Sequence, residues 1–527
     1  MSKVASADEA VRIVASGHTV TVCGVVGALA PEMVLAALER RFLETGQPRD
    51  LTVVFPVAVG DVWDLPGIDH VANDRMIRRL IGGSYVIGSN PQTGRRARAT
   101  EMVLENRVEA YNFPIGALMH LMREIAGGRP GVVTPIGLET FVDPRLEGGK
   151  LNARTTEDLV ELVQLGGQEY LWYRAFPIDL AIVRGTTADE DGNLTFEHEG
   201  LFGGTLAQAM AAHNSGGKVI AQVKRLAERG TLHPQMVRVP GALVDYVVVD
   251  PDQLQATGIA YDPAISGELR VPPGTLRQDV ALDANTVIAR RALQALAPGQ
   301  MVILGFGAPA LIPWSALAEG VADQLAFTIE HGAIGGVPLS GFQFGSAANP
   351  DCIVDTPSHF DYIGGGGLDA ACLAFAEVDA EGNVNVSKLP GLIPGCGGFI
   401  DITHRVGRIV YCGLFTTGGL KAEVVDGRLR ILEEGRHVKF VERLYQRTYS
   451  ARRGLERGQR VTLVTERAVF ELTPDGLILT ELAEGIDLER DVVRRMAFKP
   501  LLAGPIQTMD PALFRPGPIG LRLDGLT

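Results

Sequence analysis

With 527 residues, the chain is too long for one ordinary hydrophobic core, and two large domains or three smaller ones are expected. Its 62 Asp and Glu residues outnumber its 49 Lys and Arg residues, giving a net charge of −13. That charge argues against nucleic acid as the main partner, because binding it requires a basic surface. Apolar residues at 46% and charged residues at 21% are typical of a soluble globular enzyme and exclude extensive disorder.

The cysteines and the N-terminus bear on the compartment. Five cysteines without a CxxC pair predict neither a disulfide framework nor a structural zinc site, and they fit a reducing compartment. Asp8 and Glu9 stand where a signal peptide would have its apolar core. No apolar run approaches the ~18–20 residues of a membrane span. We therefore expect a cytoplasmic protein with no metal site and no membrane association.

Short β-branched runs, glycine-rich turns and amphipathic helices alternate along the chain. In the first half, the pattern predicts a strand over 18–23, a helix over about 31–44 and a strand over 50–55. In the second half, strands are predicted over 300–304 and 324–329, on either side of a glycine turn and a helix. This alternation is typical of an α/β fold with largely parallel sheets.

Short sequence matches predict an internal duplication. The spacing Gly27-x-x-x-Pro31 returns as Gly305-x-x-x-Pro309. DEDGNL (189–194) matches DAEGNV (379–384), and GKVI (217–220) matches GRIV (407–410), both at an offset of 190. Because two independent matches share one offset, we interpret the chain as two homologous open α/β domains.

The stretch 261–283 is rich in Pro and Gly and is interpreted as the linker between these halves. We therefore predict an N-terminal domain over 1–275 and a C-terminal domain over 286–527. The active site is expected between them, where loops from both sheets converge.

The most informative motif is FTIEHGAIGGVP (327–338), in which Glu330 ends an apolar run and precedes a glycine-rich turn. Ligands of open α/β sheets bind beyond the carboxyl ends of the strands, where Glu330 is expected. The glycines after it would let a ligand approach the backbone closely. An acid that caps a helix or faces water explains this stretch about equally well.

A dinucleotide-binding interpretation competes with this one. GFGAPA (305–310) fits the GxGxxA fingerprint, and Glu330 lies 25 residues after Gly305, near the ~20 expected for the acid that binds a ribose hydroxyl. A nicotinamide-dependent dehydrogenase is therefore an alternative from another class. Against it, the matching turn of the first half, GVVGALAP, lacks the fingerprint, and a redox enzyme does not explain the glycines after Glu330.

A second glycine run, PGCGGFID (394–401), could aim backbone N–H groups at one point, as in an oxyanion hole. A tight turn between two elements explains this run equally well.

Taken together, these motifs resemble family I coenzyme A transferases of the single-chain acetate/propionate and 3-oxoacid type, over nearly the whole chain. The resemblance rests on ten segments in order: GVVGALAPE (24–32), RFLETGQPRDLT (41–52), ENRVEAYNFP (105–114), TPIGLETFVDPR (134–145), ADEDGNL (188–194), EHGAIGGVP (330–338), DAEGNVNVSK (379–388), GCGGFIDI (395–402), VTERAVFEL (464–472) and GIDLERDV (485–492). It implies reversible transfer of coenzyme A (CoA) from an acyl-CoA to a short-chain carboxylic acid, with ping-pong kinetics. It also implies that CoA is a substrate, that no cofactor is permanently bound, and that the protein is a homo-oligomer, a dimer or tetramer.

The resemblance also implies roles for individual residues. Glu330 would attack the acyl-CoA thioester and then carry a covalent glutamyl-CoA thioester, while Gly397 and Gly398 would receive the oxyanion. Three further groups are implied: an acyl pocket or second donor in the first-half turn, the track of the pantetheine arm, and a cation for the CoA phosphates. Val26, Gly27 and Ala28 would line the acyl pocket or supply the second donor. Gly305, Gly307 and Ala308 would lie beside the pantetheine arm, and Lys421 would bind the CoA phosphates.

Two residues depart from the family pattern. His331 follows the glutamate where relatives have Pro or another neutral residue, and its imidazole either alters the pKa of Glu330 or points away along the strand. Ile115 stands where relatives commonly have Gln, which would make the acceptor pocket more apolar and allow a carboxylate larger than acetate. An acyl-CoA hydrolase that uses Glu330 and a non-catalytic CoA-binding module are further alternatives.

Overall fold

The chain folds around two large β-sheets, one from each half of the sequence. The computed structural model describes residues 3–272, 275–276 and 281–523. The predicted linker includes residues 273–274 and 277–280, which lie outside the described residues. The predicted boundary at 275 falls in the short described segment 275–276. The limits 1–275 and 286–527 therefore stay predictions.

The first-half sheet has seven strands within the described residues, and all of its pairings are parallel. Their spatial order is Tyr246–Val249, Lys218–Val223, Leu180–Arg184, Thr19–Val22, Leu51–Phe55, Ile77–Gly82 and Glu109–Asn112. The helices of this half are Ala7–Ala10, Glu32–Thr45, Arg98–Leu104, Ile115–Ala126, Thr205–Asn214 and Pro263–Ser266. Leu51–Phe55 is buried at every position, as expected for a parallel strand covered by helices on both faces.

The second-half sheet has ten strands in the described part of the chain. Their spatial order is Cys352–Ile353, Ala333–Ile334, Ala326–Thr328, Met301–Leu304, Ala370–Ala374, Arg408–Cys412, Arg460–Val464, Ala468–Thr473, Gly476–Leu482 and Leu501–Thr508. The strands from Ala326–Thr328 to Arg460–Val464 pair in parallel, and antiparallel strands extend the sheet on both sides. The outermost strand, Leu501–Thr508, pairs in parallel with Gly476–Leu482. The helices of this half are Ala284–Gln294, Ile312–Glu319, Thr356–Gly365, Phe399–Arg405 and Ala451–Glu456.

The strand order confirms the predicted duplication. In the first sheet the order Tyr246–Val249, Lys218–Val223, Leu180–Arg184, Thr19–Val22, Leu51–Phe55 repeats in the second as Arg460–Val464, Arg408–Cys412, Ala370–Ala374, Met301–Leu304, Ala326–Thr328. The fold is therefore two homologous α/β halves with largely parallel sheets, as the sequence predicts.

The matched segments DEDGNL and DAEGNV fold in the same way. At the start of each turn a carboxylate, Asp189 or Asp379, accepts hydrogen bonds from two backbone N–H groups further along. Gly192 and Gly382 take the left-handed φ values of 85° and 84° that these turns require. The matching sequences therefore form the same tight turn in both halves.

Smaller sheets surround the two large ones. Three-stranded sheets are formed by Gly131–Thr134, Gln168–Arg174 and Val160–Leu165, and by Leu194–Thr195, Thr187–Asp189 and Arg225–Ala227. Strand pairs are formed by Val337–Pro338 with Ala347–Ala348, Glu377–Val378 with Val384–Asn385, Thr416–Thr417 with His437–Val438, and Lys421–Val425 with Arg428–Glu433.

The largest hydrophobic core crosses between the halves. It joins Phe113 and Tyr173 of the first half to Phe360, Phe399 and Tyr411 of the second. The contact between the halves, here called the seam, is therefore a packed interior whose surrounding loops are held firmly. No helix among the described residues is long and apolar enough to cross a membrane.

Candidate active site

Glu330 lies at the seam, just beyond the carboxyl end of the strand Ala326–Thr328. Its Oε2 accepts a hydrogen bond of 3.1 Å from the N–H of Gly398, and its side chain is 14% exposed. Burial raises the pKa of Glu330 to about 7, although the Gly398 N–H opposes the rise. The site therefore holds a carboxylate that is more basic than a solvated one and that ionises near neutral pH.

The glycine loop, residues 394–398, approaches this carboxylate closely. A Cβ atom on Gly398 would lie 2.2 Å from Glu330 Oε2, so only glycine fits there without a shift. Gly397 has a left-handed φ of 56°, and its N–H donates to Gly83 O at 2.9 Å. The Gly397 N–H is thus used across the seam, whereas the Gly398 N–H reaches Glu330, and the oxyanion roles of both glycines stay predictions.

First-half residues hold the glycine loop in place. Asn112 is buried and accepts from the Cys396 N–H at 2.8 Å, while its amide nitrogen donates to Gly82 O and Gly83 O. The N–H of Ile115 donates to Gly397 O at 3.0 Å. The donor that meets Glu330 is therefore positioned by the other half of the chain, as expected for a site between the halves.

Asp401 is a site residue that the sequence reasoning missed. Its Oδ2 accepts from the Gly116 N–H at 3.1 Å, whereas Oδ1 is buried and finds no hydrogen-bond partner among the described residues. Burial, with the nearby Glu330, raises the pKa of Asp401 well above its ordinary value. Burial therefore favours the protonated form of Asp401 beside the carboxyl of Glu330. Its position three residues after Gly398, the second of the paired glycines, was the available signal.

His331 is buried beside Glu330 and does not point away along the strand. Its Nε2 lies 3.4 Å from Glu330 Oε1. Burial lowers the pKa of His331 to about 3, so the imidazole is neutral. Within the described structure its Nδ1 has no hydrogen-bond partner.

Val25, in the turn of the first half, lies against Gly345 of the second half, next to His331. Val25 Cγ1 and His331 Cδ2 lie 2.7 and 3.2 Å from the position that a Cβ on Gly345 would take. The predicted second donor is not supplied by Val26 or Ala28, because their N–H groups donate to Ala58 O and Val25 O. A Cβ on Gly27 would lie 2.2 Å from Thr257 Oγ1, which accounts for glycine at this position.

The turn with Gly305, Gly307 and Ala308 follows the strand Met301–Leu304, the parallel neighbour of the strand that leads to Glu330. Gly307 has a φ of 91°, and Ala308 begins a short 3₁₀ helix. Phe306 is 60% exposed, and its ring lies 6.0 Å from the ring of Phe344, which lies 6.4 Å from His331. This turn therefore lies along the approach to Glu330.

The side chains of two predicted site residues, Lys421 and Ile115, make their contacts elsewhere. Lys421 lies on the outer hairpin, with its side chain 68% exposed, and pairs with Glu433 at 2.5 Å. Ile115 is buried in the core, where its Cγ1 lies 2.7 Å from the position of a Cβ on Gly83. Ile115 contacts the site through its backbone, and the pocket role of its side chain stays a prediction.

Residues 3–272, 275–276 and 281–523 contain no group of three or more His, Cys, Asp and Glu side chains arranged to hold a metal ion. Around Glu330 the structure places a backbone hydrogen bond of 3.1 Å from Gly398 and the neutral imidazole of His331.

The site is built around a carboxylate. Comparisons with known proteins show the family to which the chain belongs. The family model for coenzyme A transferase matches residues 4–250. The acetate CoA-transferase YdiF of Escherichia coli K12 is 41% identical over 522 residues, covering 99% of this chain and 96% of that protein. The caffeate CoA-transferase of Acetobacterium woodii is also 41% identical over 522 residues, covering 98% of each.

A solved structure agrees over the same length. The thioester complex with CoA of the acyl-CoA transferase YdiF from Escherichia coli O157:H7 matches with a TM-score of 0.92 and 39% identity, covering 99% of this chain and 98% of that one. The chain is therefore an enzyme that transfers coenzyme A. It belongs to the coenzyme A transferase family, in the single-chain form of family I, which confirms the resemblance and displaces the dinucleotide-binding interpretation of residues 305–310.

Proposed function

We propose that the enzyme transfers CoA reversibly from an acyl-CoA to a short-chain carboxylic acid, with Glu330 as the covalent nucleophile. The observation that carries this proposal is the hydrogen bond from the Gly398 N–H to a buried Glu330 carboxylate whose pKa is raised to about 7. A buried, basic carboxylate that faces a backbone donor has the features of an activated nucleophile beside an oxyanion site.

In the first half-reaction, an oxygen of Glu330 bonds to the thioester carbonyl carbon of the acyl-CoA. The C–S bond then breaks, and CoA leaves as a thiolate, so an acyl-glutamyl anhydride remains. The thiolate attacks Cδ of Glu330, and the acyl group leaves as a carboxylate that carries one glutamate oxygen. Glu330 is left as a thioester of CoA, and no net proton is exchanged.

In the second half-reaction, an acceptor carboxylate attacks the glutamyl thioester and the steps run in reverse. The tetrahedral intermediates that form at Glu330 Cδ place negative charge on Oε2, the oxygen at which the Gly398 N–H is directed. One such donor contributes about 2.7–4 kcal/mol to stabilisation of the transition state. Burial of Glu330 also limits access of water, which favours transfer over hydrolysis.

The proposed acceptors are short-chain carboxylic acids of the acetate, propionate or 3-oxoacid type. Among the relatives, one is named for acetate and another, equally similar, for caffeate. A matrix of acyl-CoA donors against aliphatic, 3-oxo and aryl acids therefore tests the substrate class directly. Higher kcat/KM for caffeate-like acids than for short aliphatic acids would overturn it.

The covalent step is tested by mixing the enzyme with acyl-CoA and no acceptor. We expect intact-mass spectrometry to show one added CoA, peptide mapping to place it on Glu330, and acceptor acid or hydroxylamine to remove it. Glu330→Gln, which keeps the shape without an ionisable carboxylate, should form no adduct. Transfer activity that persists in Glu330→Ala without an adduct would overturn the proposal, and CoA release without acceptor at the transfer rate would indicate the hydrolase instead.

The remaining proposals concern the whole molecule. We propose the domain limits 1–275 and 286–527, a cytoplasmic location, and a homodimer or homotetramer. Light scattering on the purified protein measures the subunit number.

A further inference from the structure

His331 places a neutral imidazole against the oxygen of Glu330 that the glycine loop does not hold. Gly398 donates to Oε2 at 3.1 Å, and His331 Nε2 lies 3.4 Å from Oε1. The two oxygens of the proposed nucleophile therefore have different neighbours: a short backbone hydrogen bond on one and a looser imidazole contact on the other.

The surroundings of His331 determine its tautomer. With the proton on Nε2, the donor nitrogen lies 3.4 Å from the carboxylate oxygen, close to it but not aligned as a hydrogen bond in this structure, and the buried Nδ1 keeps only a lone pair without a partner in the described structure. With the proton on Nδ1, that buried N–H would be unsatisfied and the Nε2 lone pair would face the lone pairs of Oε1. The second arrangement combines an unpaired donor with a repulsive contact, so the Nε2–H tautomer is favoured.

We infer that the neutral His331 becomes a second hydrogen-bond donor to Glu330 during the reaction, acting on the oxygen that bonds to the acyl group. This inference rests on the proposed function of Glu330 as a covalent nucleophile. Oε1, which lacks a short hydrogen bond, is the freer oxygen to attack, whereas Oε2 stays as the carbonyl oxygen of the thioester.

The role of His331 follows from the fate of Oε1. When the CoA thiolate attacks Glu330 Cδ, the bond from Cδ to Oε1 breaks and Oε1 leaves in the acyl carboxylate. Negative charge then develops on Oε1, and a donated hydrogen bond from Nε2–H shortens and strengthens with it. His331 keeps its proton throughout, because burial disfavours both its charged forms.

Other titratable groups near this pair are held neutral. Asp401 and Cys396 face Glu330, and burial raises the pKa of each well above its ordinary value. His359 faces His331, and burial lowers its pKa to about 4. Glu330, whose pKa is raised to about 7, is therefore the group whose ionisation the pH dependence of the reaction near neutrality is expected to follow.

Three substitutions separate a donor from a space-filling residue. In His331→Gln the amide nitrogen can occupy the place of Nε2, whereas in His331→Asn it reaches only the place of Nδ1. His331→Phe keeps a ring of similar size without a donor. We expect quenched-flow measurement of CoA-adduct formation to show a loss of about 100-fold in His331→Phe and His331→Asn, and less than tenfold in His331→Gln.

The pH profile supplies a readout that a packing role would not move. A hydrogen bond to the ionised carboxylate lowers its pKa, so its loss should move the acid limb of the rate of adduct formation to higher pH in His331→Phe. His331→Gln should return the limb to its wild-type position. Melting temperatures of the three variants verify that each is folded.

The outcomes distinguish this inference from the proposed function. If wild-type enzyme forms no CoA adduct, the function of Glu330 itself fails. If wild type forms the adduct and His331→Phe forms it as fast with the same pH profile, His331 only fills space and the inference is overturned. A loss in folded His331→Gln as large as in His331→Asn would also overturn it.

Discussion

Gly398 and Glu330 are in such close contact that a single methyl group would separate them, since a Cβ on Gly398 would lie 2.2 Å from Oε2. Gly398→Ala should therefore displace the carboxylate or the loop and break the hydrogen bond between them. We expect kcat to fall by at least about 100-fold, the usual effect of losing one oxyanion donor. Steady-state kinetics with a saturating acyl-CoA measure it.

Gly397→Ala is the matched control for this loop. Its Cβ would lie 3.7 Å from Glu330 Oε1, an ordinary contact, but alanine at a φ of 56° is strained by about 1–2 kcal/mol. We expect a lower melting temperature and a smaller loss of kcat than in Gly398→Ala. Equal kcat losses in the two variants would contradict a direct contact between Gly398 and the carboxylate.

The rate of adduct formation should depend on pH near neutrality. The nucleophile is the ionised carboxylate, and burial raises the pKa of Glu330 to about 7. The rate should therefore be low at pH 5, rise through about pH 7 and level off above pH 8. A single-turnover profile that is flat from pH 5 to 8 would show that Glu330 keeps its ordinary acidity.

The same pKa predicts a stability difference between wild type and Glu330→Gln. A carboxyl whose pKa is raised from 4.5 to about 7 binds its proton more tightly when folded, so wild type loses stability as pH rises between those values. Glutamine has no charge to bury. We expect Glu330→Gln to be more stable at pH 8 by roughly 3 kcal/mol and equal to wild type near pH 4.5, by urea unfolding.

Asp401 should tolerate replacement by asparagine but not by alanine. Its carboxyl accepts a hydrogen bond from the Gly116 N–H, burial favours its protonated form, and an asparagine amide oxygen can accept the same hydrogen bond. Asp401→Ala leaves that buried N–H without its partner and should cost roughly 1–3 kcal/mol of unfolding free energy. If Asp401→Asn is destabilised as much as Asp401→Ala, Asp401 is ionised in the folded protein.

Lys421 tests whether the outer hairpin takes part in CoA binding. If Lys421 binds the CoA phosphates, Lys421→Ala should raise KM for acyl-CoA several-fold and leave KM for the acid unchanged. Glu433→Ala frees Lys421 from its ion pair and should lower KM for acyl-CoA. Unchanged KM values in both variants would assign Lys421 to surface charge alone.

The sequence predicts the parallel framework well. The strand expected over 50–55 is Leu51–Phe55, and the helix expected over about 31–44 is Glu32–Thr45. These elements are recognisable because buried parallel strands form continuous apolar runs and glycine turns mark their ends. The outer strand Leu501–Thr508, which pairs in parallel with Gly476–Leu482, is not recognisable in this way, because none of its residues is buried and it forms no continuous apolar run.

The candidate site is predicted only in part. Glu330 follows from a strand-end acid before glycines, but the burial of Ile115 depends on its packing against Gly83, which local pattern does not encode. The orientation of His331 depends likewise on contacts with Gly345 and Phe344, distant elements of the second half. Directions of side chains at a seam follow from tertiary packing, and one sequence does not contain that information in readable form.

The amide of Asn112 holds the loop that carries Cys396, although 284 residues separate them along the chain. A substitution at Asn112 would therefore first change the geometry of a loop in the other copy of the repeat. A change in one copy can therefore disturb the loop of the other, so a variant engineered in either copy has to be assessed on the complete two-copy enzyme. The duplication remains visible in the strand order, whereas the loop that meets the nucleophile depends on both copies.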